Sequence, residues 1–116
     1  MTEERYRCGM EAALDLVGGK WKMLILYHLR GARLRFSELR RLVGGVSEKM
    51  LSQQLKEMVA DGLLRRIDHR TVPPHVEYET TTLGAELCDT MQPMCEWGAR
   101  HMEAIEGIAA ARAGST

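Results

Sequence analysis

Residues 36–62 read FSELRRLVGGVSEKMLSQQLKEMVADG, and this stretch decides the fold. Phe36, Leu39, Leu42 and Val43 recur at helical spacing and mark a helix that opens near Ser37. Gly44-Gly45 breaks the pattern, and Ser47 is a good N-cap for a second helix running from about Glu48 to Asp61. Gly62 follows in a position that tolerates a left-handed conformation. Two helices joined by so short a connection have the order of a helix-turn-helix pair. At 100° per residue the second of them sets Leu51, Leu55 and Met58 on one face and Lys49, Ser52, Gln53 and Lys56 on the other.

Upstream, Met10, Ala13, Leu14 and Val17 fall at i, i+3, i+4 and i+7, so a short amphipathic helix is expected, ended by Gly18-Gly19. Lys20 to Leu29 repeats the pattern through Trp21, Leu24, Ile25 and Leu29 and is expected at the centre of the core. Downstream of Gly62 the period changes. Leu64 to Asp68 and the alternating Val76, Tyr78 and Thr80 read as two strands, with Thr71-Val72-Pro73-Pro74 as the connecting tip, because proline has no N–H for a ladder. From Leu83 a helical pattern resumes through Leu87, Met91, Met94, Trp97 and Met102 to about Ile108, with a kink or interruption expected at Pro93. Residues 109–116 read as a flexible tail. The expected fold is therefore mainly α with a small β-hairpin, a single winged helix-turn-helix domain over residues 1–108. The helix-turn-helix occupies about 37–61, the wing about 64–80, and a C-terminal dimerisation helix about 83–108.

Charge is distributed unevenly along the chain. Twelve of the sixteen Lys and Arg lie between Lys20 and His75 with only five of the sixteen acids, so this stretch carries +7 and the flanks −7 within a net charge of zero. A basic central segment with helix-turn-helix punctuation is the footprint of a module that lies on a phosphate backbone. The exposed face of the second helix offers two cations for phosphates or guanine and a Gln able to contact adenine in a bidentate manner. Six aromatic residues are too few for a stacking platform, so duplex DNA is expected rather than single strands. The alternative is a winged helix used as a protein-interaction module without its own operator. Lys49 and Lys56 argue against it, since the cores of protein interfaces are depleted of Lys.

Other classes receive little support. No acid, base and nucleophile grouping is visible, so the chain does not read as an enzyme. His28 sits on the apolar face of the Lys20–Leu29 helix and reads as a core residue, while His69 and His75 flank the hairpin tip and face solvent or phosphate. Without zinc spacing, neither a metal nor a cofactor is expected. The longest apolar run, Met23 to Tyr27, is too short to cross a bilayer, and Met1-Thr2-Glu3-Glu4-Arg5 has no signal-peptide core, so a cytoplasmic protein is expected. Three cysteines do not make a disulfide framework.

Five motifs then occur in order: Gly18-Gly19-Lys20-Trp21-Lys22, Arg35-Phe36-Ser37-Glu38-Leu39, Lys49-Met50-Leu51-Ser52-Gln53-Gln54-Leu55, Asp61-Gly62-Leu63, and Val72-Pro73-Pro74-His75-Val76-Glu77-Tyr78. Over about Cys8 to Trp97 they resemble the HxlR family of MarR-like bacterial transcriptional regulators. The resemblance implies a winged-helix homodimer whose fourth helix reads the major groove and whose first and last helices form the dimer interface. It implies regulation of nearby genes, with repression the expected mode. It also places Lys49, Ser52, Gln53 and Lys56 on the recognition helix and Arg70 on the wing, with Arg35 and Lys20 or Lys22 as phosphate contacts. Gln53 and Lys49 are the specificity candidates, and the others add affinity independent of sequence.

Leu14, Val17, Met94 and Trp97 exceed what a core filled by helices two to four can bury, which makes them the expected dimer interface. Cys8 occupies the position of the family's N-terminal cysteine, through which some members sense electrophiles or oxidants. It lies beside Arg7 at a helix start, where thiolate is favoured, and the alternative is a small buried apolar residue. Gly9 stands where family members often carry proline, which leaves the helix start less pre-organised. Cys88 and Cys95, seven apart, suit an apolar helical face better than a ligand pair.

Overall fold

Why the chain turns where it does is visible in its backbone. In the computed structural model, which describes residues 5–114, the order is α1 (Gly9–Val17), α2 (Lys20–Leu29), β1 (Leu34–Arg35), α3 (Phe36–Val43), α4 (Glu48–Ala60), β2 (Leu64–Asp68), β3 (Val76–Thr80), α5 (Thr82–Arg100) and α6 (Met102–Gly114). The polar start at residues 1–4 and the last two residues of the expected tail, 115–116, lie outside the described residues. Gly44 and Gly45 both take positive φ, 70° and 72°, a conformation that side chains with a Cβ resist. That turn delivers Ser47 to the head of α4, where its Oγ accepts the Met50 N–H at 3.0 Å and satisfies one of the helix's free donors.

The described residues divide into two compact units between Ala85 and Glu86, so α5 begins in the first and ends in the second. The core of the first unit is built from Ile25, Leu26 and Leu29 of α2, Leu39 of α3, Leu51, Leu55 and Met58 of α4, and Leu63 and Leu64 at the start of the hairpin, all fully buried. Truncating any one of these leucines to alanine costs about 2–5 kcal/mol. α2 packs against both α3 and α4 and so anchors the helix-turn-helix pair.

The sheet has three antiparallel strands in the order β1-β3-β2. β2 pairs with β3 from Leu64↔Thr80 to Asp68↔Val76, and β1 adds Leu34↔Tyr78 and Arg35↔Glu77 on the other edge. This is the winged helix-turn-helix arrangement, mainly α with a small sheet. β1 has no signature in the sequence, because two residues show no period. Thr81 joins the hairpin to α5: its N–H donates to the Leu63 carbonyl at 3.1 Å, and its Oγ1 accepts the Gly84 N–H at 3.1 Å, capping the helix.

Two expectations for the C-terminal region are corrected. α5 runs through Pro93 without interruption, and the break falls at His101, whose N–H is shared between the Trp97 and Gly98 carbonyls at 3.1 and 3.2 Å, a form common at helix ends. The expected tail is helical as far as Gly114. Four alanines at 109, 110, 111 and 113 carry the highest helix propensity of any residue, which favours continuing the helix without an amphipathic pattern. Among the described residues no helix is long and apolar enough to cross a membrane.

Candidate nucleic-acid interface

α4 presents the face expected of it. With Leu51, Leu55 and Met58 buried beneath, Lys49, Gln53 and Lys56 are exposed and Ser52 is half-buried. Among the described residues neither lysine forms an ion pair. The one acid on the inner flank of the helix is occupied: Glu57 Oε1 accepts from Lys22 Nζ at 2.9 Å. That hydrogen bond, and then the Lys22 charge, hold the Glu57 carboxyl below the usual range, and a hydrogen bond with the Gln53 side chain lowers it further. Lys22 and Glu57 therefore tie α2 to α4.

Lys22, the alternative to Lys20 as a phosphate contact, is engaged within the fold. Its side chain is only 12% exposed and pairs with Glu57, so it ties α2 to α4. Lys20 is exposed and lies over the Trp21 ring, 4.8 Å from its centroid, an arrangement that leaves its charge at the surface. Arg35 is exposed, and its backbone N–H donates to Glu38 Oε1 at 2.9 Å, closing the first turn of α3.

Arg70 is exposed on the hairpin and takes a positive φ of 52°, with its N–H donating to Asp68 Oδ1 at 2.8 Å. No ion pair involves its side chain among the described residues. The strand cations differ: Arg65 reaches Glu79 at 3.2 Å and Arg66 reaches Asp68 at 3.9 Å. Sequence reading misses Arg40 and Arg41. With Ser37 and residues 44–47 they line an open depression beside the N-terminus of α4, and Arg40 Nε donates to the Val46 carbonyl at 3.3 Å. A signal exists in the sequence, since two adjacent arginines precede the Gly-Gly turn.

The residues expected at a dimer interface separate by burial. Val17 is 4% exposed and belongs to the core, whereas Leu14 is 54% exposed on α1. On α5, Met94 and Trp97 are also exposed, one turn apart on the same side. Cys8 is the exposed N-cap residue of α1, with extended backbone, so the buried apolar role does not apply to it. Cys88 is buried and Cys95 is exposed.

The histidines hold the largest departure. Expected to flank the wing and face solvent or phosphate, His69 and His75 are brought together at its root, ring centroids 4.2 Å apart, with Glu77 between them: His69 Nε2 lies 2.7 Å and His75 Nε2 3.4 Å from Glu77 Oε1. The hydrogen bond with His69 holds the Glu77 carboxyl below its ordinary range.

Comparison with known proteins agrees with this architecture. The profile of the HxlR-like helix-turn-helix family matches residues 16–106. The HTH-type transcriptional regulator YtcD of Bacillus subtilis (strain 168) is 44% identical over 107 residues, covering 92% of this chain and 85% of that protein. Among solved structures, the redox regulator HypR in its reduced form superposes with a TM-score of 0.80 at 38% identity, over 86% of this chain and 99% of that one. The reduced form of the transcriptional regulator YodB from B. subtilis gives 0.69 at 32% identity, over 80% and 92%. With this helix order, hairpin and match over most of its length, the chain belongs to the HxlR-like helix-turn-helix family.

Proposed function

We propose that this chain is a sequence-specific regulator of transcription that binds double-stranded DNA as a homodimer on an inverted-repeat operator. The observation that carries the reading is the α4 surface, where Lys49, Gln53 and Lys56 stand exposed on a helix fixed from below by three buried side chains. Lys49 and Gln53 read base edges in the major groove, and Lys56, Lys20, Arg35 and Arg70 position the protein on phosphates. Arg40 and Arg41 add to this positioning set. The reading agrees with the relatives, which are named as transcriptional regulators. A mobility-shift assay with the DNA upstream of the chain's own gene tests it: binding should fall steeply with salt and exceed binding to unrelated DNA of equal length. Equal affinity for both DNAs would remove the reading.

Dimerisation is supported by the exposed apolar side chains Met10 and Leu14 on α1 and Met94 and Trp97 on α5, which a monomer leaves in water. A two-fold dimer sets half-sites one or two DNA turns apart, roughly 34–36 Å per turn. Leu14→Glu and Trp97→Glu should sediment as monomers, and dimers that survive both substitutions would place the interface elsewhere. Redox response through Cys8 is supported by its exposure at the head of α1 and by the similarity to HypR, described as a redox regulator.

A further inference from the structure

We infer that His69, His75 and Glu77 bind one divalent transition-metal cation of the zinc type at the root of the wing. The placement starts in the backbone. Asp68↔Val76 is the last pair of the β2–β3 ladder, and the His69 N–H donates to the His75 carbonyl at 2.9 Å, so the two histidines face one another across the hairpin. Glu77, two residues beyond His75, projects from the same face, since side chains alternate along a strand. One ligand atom from each of the three lies within 4.8 Å of the others.

The donor set is that of an open zinc site, two imidazoles and a carboxylate with a fourth position for water. Tetrahedral coordination at zinc's usual bond lengths spaces donor atoms about 3.3 Å apart. His75 Nε2 and Glu77 Oε1 already stand at 3.4 Å, and His69 Nε2, now 2.7 Å from that oxygen, needs to open by only a fraction of an ångström. A second observation points to a ligand independently of this spacing. His75 Nε2 is enclosed and makes no hydrogen bond, its contact with Glu77 Oε1 being 3.4 Å long, so its lone pair is open to a cation.

A cation here would staple β2 to β3 below the tip and add two positive charges at the residue next to Arg70. The consequence for operator affinity rests on the reading of the hairpin as a DNA-contacting wing, whereas metal binding itself does not. The test is therefore made without DNA. Metal-free full-length protein is titrated with zinc chloride by calorimetry and with cobalt chloride by absorbance. One ion per chain is expected, with cobalt giving the visible bands of nitrogen and oxygen ligation and no thiolate charge-transfer band. His69→Ala, His75→Ala and Glu77→Gln should each weaken binding at least tenfold. The unmodified protein supplies a readout that no folding defect can confuse: the ring nitrogens of His69 and His75 should shift on zinc addition, and those of His28 and His101 should not. Absence of binding at micromolar zinc, a thiolate band, undiminished affinity in a folded histidine variant, or shifts confined to His28 and His101 would each overturn the assignment.

Discussion

Gly84 rests directly on the carbonyl of Leu63: a Cβ built at Gly84 would stand 2.1 Å from the Leu63 oxygen and 3.1 Å from its carbon. Because the obstacle is backbone, no side chain can swing aside. Gly84→Ala must therefore push the first turn of α5 away from the end of the α4–β2 turn, and Thr81, which bonds to both segments, moves with it. A loss of about 1–3 kcal/mol or more is expected. Gly98→Ala, in the same helix but with nothing within 4 Å of the added Cβ, should instead gain about 0.5–1 kcal/mol from helix propensity. Denaturant midpoints of the two variants should move in opposite directions.

On the recognition helix, Lys49→Ala and Lys56→Ala should weaken binding to all DNA and reduce the slope of log affinity against log salt by about 0.9 for each phosphate that is no longer neutralised. Gln53→Ala should relax preference at one base position by about 1–3 kcal/mol and leave the slope unchanged. Titrations at two salt concentrations separate these effects, and unchanged binding by the triple variant would remove α4 from the interface.

Lys22 and Glu57 make stability depend on pH in a definite direction. The Glu57 carboxyl is depressed in the folded chain below its ordinary 4.5, so the stabilisation is complete above that value and disappears as the pH falls through the lower folded value. Glu57→Gln removes it at every pH. The melting temperatures of parent and variant should differ near neutrality and converge in acid; a constant gap would show that the ion pair contributes nothing.

Of the three cysteines, Cys8 and Cys95 are exposed and should label quickly, while Cys88 should label only on unfolding. If Cys8 carries the redox signal, diamide should lower operator affinity in the parent and in Cys95→Ser but leave Cys8→Ser unaffected. An equal response in Cys8→Ser would move the signal to another residue.

The sequence announces the parts of this fold that repeat. α1 to α4 have an apolar face at helical spacing, and glycines or a capping serine mark their limits, so local rules and tertiary packing agree. β1 escapes because its two residues depend wholly on the neighbouring β3. The helical tail escapes because its alanines act by propensity and show no face. Lys22 looks like a phosphate ligand in the sequence because its partner Glu57 lies thirty-five residues away, on another helix. The His69, His75 and Glu77 cluster looks like unrelated residues for a different reason. Linear zinc spacings describe helices and knuckles, whereas here the hairpin register does the gathering, and register becomes known only once the pairing is fixed.

That register also divides the wing into a stem and an interchangeable cap. The stem closes at the bond between His69 and His75, and the five residues from Arg70 to Pro74 lie beyond it, with Val72 at 99% exposure. An insertion within those five lengthens the tip and leaves every pair below it intact. A single residue inserted between His75 and Glu77 would turn the rest of β3 over, sending Glu77 to the opposite face. A new peptide, a protease site or a fluorescent label could therefore be grafted between His69 and His75 without changing the sheet, whereas one residue added just past His75 would rewire it.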